Sequence, residues 1–399
     1  MKKIVLKENS MNIKELSRKY KEYVIDMRRE FHANPELSWH EKRTSQRIIE
    51  ELNKMGVPCV SIAGTGVLAT ITGKNEGKTI ALRADIDALE ITERNEASYK
   101  SRNEGVMHAC GHDAHGAMLL GAAKVLNDIK DELNGTVKLM FQPAEETASG
   151  AKKMIEEGAL DGVDEVFGMH VMSNFPIGKV AVGSGPRMAS ADMFRIVVKG
   201  KGGHGSMPNM GVDAVLAASA VVMNLQSIAS REVSPMDSVV VSVGKFISGT
   251  RFNIIADEAI LEGTTRCFSY ELRDALPDIM ERIIKSTANS YRAEAELEYN
   301  RAAAPVINDE LSTEIARKAI EKVLSKDAVV EFDKTTGSED FSEYLEKVPG
   351  TFVIVGTANE EKDTCYSNHH AKFDIDEDAL EYGVALHVQY AVDFLNGND

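Results

Sequence analysis

The sequence is poor in cysteine, in aromatic side chains and in basic residues. Its 399 residues include four cysteines and one tryptophan, and aromatic residues make up 6% of the chain. So few cysteines in a chain of this length argue against a disulfide scaffold and are typical of a reduced cytoplasmic protein. The scarcity of aromatic residues argues against a stacking surface for single-stranded nucleic acid.

Acidic residues outnumber basic residues by 62 to 46, which gives a formal net charge of −16. A field of this sign repels phosphate backbones and anionic membrane surfaces. The N-terminal segment MKKIVLKENS has too short an apolar stretch for a signal peptide, and no run of about 18 apolar residues predicts a membrane span. We therefore expect a cytoplasmic globular protein with neither a nucleic-acid nor a membrane partner.

The remaining composition, 43% hydrophobic and 27% charged, is typical of a globular chain of two or three domains. Residues 12–54 show helical spacing, and strand and helix patterns alternate from there up to residue 171. These patterns predict an α/β domain with a mixed, mostly parallel sheet flanked by helices. The strand-like runs 67–72 and 79–86 flank a glycine-containing turn, so we expect them to pair with each other.

The pattern changes near residue 185. The predicted order β-α-β-β-α-β up to residue 300 is that of a split βαβ, ferredoxin-like α+β domain. Patterns of the first kind return afterwards. We predict one domain formed by 1–184 and 301–399, and a compact inserted domain at 185–300.

The segment MHACGHDAHG (107–116) concentrates groups that bind transition metals. Cys110 and His112 stand at the mouth of a predicted helix, among further histidines. Each residue alone has a simpler explanation, as a buried thiol or a surface imidazole. Together they suit zinc and similar divalent ions, which thiolate and imidazole bind well.

A second segment, FQPAEE (141–146), places two adjacent carboxylates just after a predicted strand. Glu145 and Glu146 could simply cap a helix N-terminus, where negative charge is favourable. In a hydrolytic metal site one of them binds metal while its neighbour acts as a general base.

Two further segments supply histidines. His170 ends an apolar strand, and His369 and His370 stand side by side near the C-terminus. Strands of open α/β sheets deliver functional groups at their C-terminal ends. The candidate ligands are then five in number, which exceeds one tetrahedral site but suits two metals with a shared ligand.

These motifs resemble, in the same order along nearly the whole chain, those of the metal-dependent amidohydrolase and aminoacylase superfamily. That superfamily includes hippurate hydrolases, auxin-conjugate hydrolases and N-acetyldiaminopimelate deacetylases. The matching segments are RADIDAL (83–89), MHACGHDAH, FQPAEE, GMHV, GKGGHGSMPN (200–209), GTTR (263–266), GSEDF (337–341) and HHAKFDID.

The resemblance implies five metal ligands: Cys110, His112, Glu146, His170 and His369. His369 is preferred to His370 because the family position after the ligand is variable. Two divalent ions per subunit are implied, zinc or manganese, with cobalt or nickel as alternatives.

The resemblance also implies that 1–184 and 301–399 form a metal-binding catalytic domain and that 185–300 is a lid or dimerisation domain. It implies catalytic roles as well. Glu145 matches the general base, and Asp87 matches a carboxylate behind the metal site. His204 matches a histidine that reaches the substrate carbonyl, in some relatives across a dimer interface, so a homodimer or higher homo-oligomer is expected. Asn253 and Arg266 match positions near the substrate carboxylate.

The function implied is hydrolysis of the amide bond of an N-acyl-L-amino acid. A dipeptidase or aminopeptidase-like activity is an alternative, as is a catalytically silent relative that only binds ligand. Intact Glu145 and His204 favour an enzyme, because binding alone needs neither. A dinucleotide-binding oxidoreductase is a third reading, from the G-x-G-x-x-G pattern at 200–205, but the acidic partner expected about 20 residues later is absent.

Overall fold

The computed structural model describes residues 12–397. The N-terminal segment 1–10, for which the sequence predicts no signal peptide, lies outside the described residues. Within them, numbered along the chain, the helices are α1 (Ile13–Lys19), α2 (Lys21–His32), α3 (Lys42–Met55), α4 (His112–Asp128), α5 (Gly150–Glu156), α6 (Ala214–Leu225), α7 (Tyr270–Ser290), α8 (Glu310–Val323), α9 (Ser342–Leu345) and α10 (Ala379–Leu395).

The strands are numbered in the same way. In the described part of the chain they are β1 (Cys59–Ile62), β2 (Gly66–Thr72), β3 (Asn75–Asp85), β4 (Asn134–Gln142), β5 (Glu165–Pro176), β6 (Val180–Val182), β7 (Gly185–Met188), β8 (Ala191–Lys199), β9 (Gly203–His204), β10 (Val239–Ser248), β11 (Ile254–Ile255), β12 (Glu258–Cys267), β13 (Glu294–Ala303), β14 (Val306–Asn308), β15 (Val329–Glu331) and β16 (Gly350–Ala358).

The chain divides into two compact units. The first contains 1–184, 308–332 and 347–399, and the second contains 185–307 and 333–346. The sequence prediction assigned everything after residue 300 to the catalytic domain. The structure differs there because β13 continues to Ala303 in the second unit's sheet, and because the backbone N–H of Thr335 donates to the carbonyl of Arg187.

The first unit is built on an eight-stranded mixed sheet flanked by helices, in the order β1-β2-β4-β3-β5-β16-β6-β15. The central neighbours β4, β3, β5 and β16 run parallel. Helices α4 and α10 contribute fully buried side chains to its core, such as Leu119 and Val384. Because the central strands are covered, β16 is buried almost throughout instead of alternating.

The predicted pairing of 67–72 with 79–86 is wrong. β4 lies between these two strands, antiparallel to β2 and parallel to β3. The chain leaves β3, crosses through α4 and returns as β4, and a crossover of this kind places parallel strands side by side. A glycine turn between two strand-like runs therefore does not make a hairpin here.

The second unit contains a four-stranded antiparallel sheet in the order β10-β12-β8-β13. With α6 after β8 and α7 after β12, this is the split βαβ arrangement. Buried residues of α6 and α7, among them Val221 and Ile284, form its core with the sheet.

Within the described residues, one helical segment, Ala214–Glu232, is long and apolar enough to cross a membrane by length and composition alone. The sequence analysis identified no such segment. This is weak evidence for a span, because the core helix of a globular domain passes the same test. Here Ala217, Val221 and Leu225 are fully buried in the core of the second unit.

Candidate metal centre

The predicted site residues of the first unit converge on one edge of the eight-stranded sheet. β3 ends at Asp85, two residues before Asp87, and β4 ends just before the loop that carries Glu145 and Glu146. The carboxyl ends of neighbouring parallel strands lie at the same edge of a sheet, so these carboxylates come together although they are far apart in sequence.

Helix α4 brings Cys110 and His112 to the same edge. Its capping residue Gly111 has a φ of +90°, and a Cβ there would lie 2.4 Å from a methyl group of Val171. Glycine is therefore required where the chain turns into the helix. The turn places Cys110 Sγ 3.3 Å from Nε2 of His170.

Hydrogen bonds fix which nitrogen of each histidine is available. Nδ1 of His170 donates to the carbonyl of Val171 at 2.7 Å, and Nδ1 of His112 lies 3.1 Å from Oδ1 of Asp87. Both rings therefore direct Nε2 towards the site. Orientation of ligating imidazoles by a carbonyl or a carboxylate is usual in metal sites.

The site attracts positive charge. Burial by itself lowers the pKa of His112, but the charges of Asp85 and Cys110 outweigh it and hold that pKa well above its usual range. Burial raises the pKa of the Cys110 thiol to about 12. A divalent cation can take the place of the protons on both groups, since coordination deprotonates a thiol.

At this site two buried polar atoms, Nε2 of His112 and Oε1 of Glu146, have no hydrogen-bond partner among the described residues, and they lie 4.0 Å apart. Nε2 of His369 lies 3.5 Å from the same Glu146 oxygen. Buried polar atoms are almost always paired. A cation among these atoms would satisfy them, so the residues present fit a metal site.

Two overlapping clusters of possible ligand atoms contain, between them, all five of the predicted metal ligands. Those of Cys110, His112 and His170 lie within 4.8 Å of one another, and so do those of Cys110, Glu146 and His369. Cys110 belongs to both groups. The structure thus brings together all five residues that the sequence predicts as ligands, in an arrangement that offers two positions with one shared atom.

The adjacent histidine, His370, points to other partners. Its ring stacks on Tyr366 with centroids 4.9 Å apart, and its Nδ1 accepts the backbone N–H of Lys372. No cluster of potential ligand atoms among the described residues includes it.

Asp85 was not singled out in the sequence. Its Oδ2 lies 3.6 Å from Nε2 of His112, and its carboxylate contacts Arg83 at 2.6 Å and His115 at 2.5 Å. Burial raises its pKa, but the Arg83 guanidinium and the two histidines hold that pKa well below its usual range. The signal available was its position two residues before Asp87, which puts both on the same side of an extended chain.

Two further residues hold the glutamate loop. Glu41 accepts the backbone N–H of Ala144 at 2.9 Å, and Ser38 donates to Asp87 at 2.6 Å. Ala144 has a φ of +53°, in the left-handed region, so its N–H needs a fixed acceptor. Neither Ser38 nor Glu41 carries a local pattern that would have revealed these contacts.

A buried ionic network supports His112 from behind. Its neighbour Asp113 accepts Nε of Arg28 at 2.9 Å and lies 2.8 Å from Nδ1 of His32. The other nitrogen of His32 lies 3.1 Å from Glu93. Because all four side chains are at least largely buried, each charge needs its partner.

The predicted residues of the second unit form a separate group. Strand β9, with His204, pairs with β11, and the N–H of Gly205 donates to the carbonyl of Asn253 at 2.9 Å. Nδ1 of His204 accepts the N–H of Ser206 at 3.1 Å, which leaves the proton of the neutral ring on exposed Nε2. Arg266 lies in a different sheet, on β12 of the four-stranded sheet, where it is opposite Val240 of β10.

A family model for peptidase family M20/M25/M40 matches residues 81–393. The chain is 42% identical to thermostable carboxypeptidase 2 of Saccharolobus solfataricus over 382 residues, which cover 94% of this chain and 96% of the relative. It is 41% identical to the N-acetylcysteine deacetylase of Bacillus subtilis over 371 residues, which cover 92% and 96%.

Among solved structures, the chain resembles the Bacillus subtilis YXEP protein, described as a dinuclear metal binding peptidase of the M20 family. The TM-score is 0.84 at 38% identity, and the match covers 95% of this chain and 99% of that one. Both sequence and fold therefore agree with these proteins over almost their full length.

Proposed function

Because the chain belongs to the M20/M25/M40 peptidase family and is a metal-dependent hydrolase, we propose that it cleaves the amide bond of N-acyl-L-amino acids. The products are a carboxylic acid and a free amino acid. This proposal depends on one observation. Nε2 of His112 and Oε1 of Glu146 are buried without a hydrogen-bond partner, and they lie beside a second carboxylate, that of Glu145. The name of the Bacillus subtilis N-acetylcysteine deacetylase supports an acyl amino acid as substrate.

The residues that would hold two divalent ions are Cys110, His112, Glu146, His170 and His369. Zinc or manganese suits this donor set, and cobalt and nickel are alternatives. The dinuclear metal site in the name of the Bacillus subtilis structure supports the number of ions. When bound, such ions lower the pKa of water and polarise a carbonyl oxygen.

Glu145 is the proposed general base. It lies in the same cluster as His112 and Glu146, within 4.8 Å between ligand atoms. In this role its carboxylate takes a proton from the attacking water and passes it to the departing amine nitrogen, so that a neutral amine leaves. Asp87 orients His112 and, through the backbone N–H of Glu146, the glutamate loop.

His204 is proposed to donate from Nε2 to the carbonyl oxygen of the substrate as negative charge develops there. Asn253, held beside it by the backbone hydrogen bond to Gly205, and Arg266 are proposed to bind the substrate carboxylate. These assignments rest on the motif resemblance, supported by the exposed donor that the tautomer of His204 provides.

We propose a homodimer that forms through the second unit. Its edge strand β10 exposes Phe246 and Ile247, and the outer face of α6 exposes Leu216 and Met223. An apolar edge strand is a natural surface for pairing with a second copy. Light scattering tests this proposal. The parent protein is expected to be a dimer and the Ile247→Lys variant a monomer, whereas a monomeric parent protein would contradict the proposal.

The test of the activity is amine release from N-acetyl, N-benzoyl and indole-acetyl amino acids, by chelated enzyme and after zinc or manganese is restored. Release that depends on metal is expected. Absence of release from folded, metal-loaded protein would favour the silent, ligand-binding relative.

Peptide hydrolysis is the second candidate, favoured by the 42% identity to a carboxypeptidase. A peptide whose last amide bond is cleaved is itself an N-acyl amino acid, so the same groups serve both reactions. Dipeptides and longer N-blocked peptides are therefore included in the panel. Faster hydrolysis of these compounds than of the N-acyl amino acids would favour peptide hydrolysis, because their acyl part is a peptide or an amino acid.

A further inference from the structure

Trp39 has an unusual backbone for its side chain. It lies in a tight turn closed by a hydrogen bond from the N–H of His40 to the carbonyl of Leu37, and its φ is +66°. Glycine or asparagine usually occupies such a position, because a bulky side chain is disfavoured there. The residue is also 37% exposed, so it is not a fully buried core side chain. Strained backbone of this kind clusters at functional sites.

The indole is tied to the loop that carries the two glutamates. Its Nε1–H donates to Oγ of Ser149 at 3.2 Å, and that hydroxyl lies 2.7 Å from Oγ1 of Thr147. Thr147 in turn donates to the carbonyl of Ala144, the residue before Glu145. A chain of three hydrogen bonds therefore fixes the ring against the glutamate loop.

Two residues close to Trp39 in the sequence form hydrogen bonds with residues of the candidate metal centre. Ser38, directly before it, donates to Asp87, and Glu41, two residues after it, accepts the N–H of Ala144. The segment that holds Trp39 thus contacts Asp87 and the start of the glutamate loop, and the indole contacts the same loop at Ser149.

We propose that Trp39 is a specificity-determining residue whose ring stacks on an aromatic group of the substrate. The substrate class is then an N-acyl amino acid that carries an aromatic ring, a refinement that rests on the proposed function. The ring's one polar group is already engaged by Ser149, so its exposed part offers apolar surface. Aromatic rings pack on such a surface in stacked or edge-to-face geometry.

Trp39 is the only tryptophan in the chain, so fluorescence excited at the long-wavelength edge of indole absorption, where the ten tyrosines absorb little, reports on it alone. The metal-loaded Glu145→Ala variant, which should bind substrate without turnover, is titrated with N-benzoylglycine, N-acetylphenylalanine and N-acetylglycine. A saturable change in emission is expected with at least one aromatic compound and a smaller one with N-acetylglycine. The two aromatic compounds show whether the ring belongs to the acyl group or to the amino acid.

Steady-state kinetics with the parent active site give an independent readout. Trp39→Ala is expected to lower kcat/KM for the preferred aromatic substrate about tenfold, mainly through KM, and for N-acetylglycine by less than about twofold. Trp39→Phe should restore most of the loss. Leu311→Ala, which truncates another exposed apolar side chain in the first turn of α8, is the control and should change neither value.

An equal loss on all three substrates with Trp39→Ala, or no fluorescence change with either aromatic compound, overturns this assignment while leaving the proposed function intact. If the metal-loaded parent enzyme hydrolyses none of the compounds, the proposed function fails and the assignment of Trp39 fails with it. Thermal unfolding of Trp39→Ala and Trp39→Phe shows whether either change acts through the fold.

Discussion

Asp87 and His112 form the contact that joins the two halves of the candidate metal centre. Oδ1 of Asp87 lies 3.1 Å from Nδ1 of His112, while Oδ2 accepts the backbone N–H of Glu146 and the hydroxyl of Ser38. Burial raises the pKa of Asp87, but its hydrogen bond with His112 outweighs this and lowers it. One ionised carboxylate thus orients a proposed ligand on α4 and another after β4.

Asp87→Asn should therefore weaken metal binding without removing a proposed ligand. The amide keeps one acceptor oxygen but cannot accept at both positions, so either His112 or the Glu146 loop loses its support. Affinity is expected to fall about 10–100-fold, as for other groups that orient metal ligands. Competition with a chromogenic chelator measures this, and an unchanged affinity would contradict the role of Asp87.

Glu145→Ala should abolish turnover while the protein still binds two metal ions per subunit. The proposed base is removed and the five proposed ligands remain. Metal content after desalting, measured by plasma mass spectrometry, and amine release are compared with the parent enzyme. Loss of metal from this variant would move Glu145 into the ligand set.

The neighbouring histidines near the C-terminus provide a matched pair. His369 lies 3.5 Å from Glu146, whereas His370 stacks on Tyr366. His369→Ala is expected to reduce the bound metal from two ions to one, and His370→Ala to leave both in place. The reverse result would exchange their roles.

Gly150 closes the glutamate loop and should not tolerate a side chain. A Cβ there would lie 1.6 Å from the carbonyl oxygen of Pro143. Gly150→Ala is expected to cost at least about 2 kcal/mol in the free energy of unfolding, since the backbone must move. Gly244→Ala is the control, because a Cβ there meets nothing within 4 Å and should change stability by less than about 0.5 kcal/mol. Chemical denaturation compares the two, and equal effects would disprove the steric argument.

His32 should make stability depend on pH on the alkaline side. Burial lowers its pKa, but Asp113 and Glu93 outweigh this and raise the pKa to about 9, above the ordinary histidine value of about 6.5. A histidine whose pKa is higher in the folded than in the unfolded state stabilises the folded state, and this contribution is complete below the unfolded-state pKa. It is lost as the pH rises through the folded-state pKa. About 3 kcal/mol should therefore be lost between pH 6.5 and 9.

Urea denaturation across that range tests this, with His32→Gln expected to flatten the dependence. His387→Gln is the control, since burial lowers the pKa of His387 to about 3 and that residue is neutral in both states above pH 6.5. It should lower stability without changing the slope. A slope that survives His32→Gln would assign the dependence to another group.

Some of the site could be predicted from the sequence because its signals are local. Cys110 and His112 are two residues apart, and Glu145 and Glu146 are adjacent, so the chemistry of each pair is visible without a fold. The first helices were also predicted from their periodicity, since α1 and α2 lie within the predicted range 12–54. The strand that carries His170 is longer than predicted, because β5 continues beyond that residue to Pro176. Short strands such as β9 and β15 carry too few residues for any period to show.

The residues that support the site could not be predicted in this way. Ser38 and Glu41 act through partners that tertiary folding brings to them, and nothing in their neighbourhood in the sequence distinguishes them from surface polar residues. The position of β4 between β2 and β3 was hidden for the same reason. The sequence by itself determined which side chains are available for metal chemistry, since residue type and spacing are local properties. The tertiary structure alone decided which hydrogen bonds orient them, because parallel strands and their crossovers join segments that are distant along the chain.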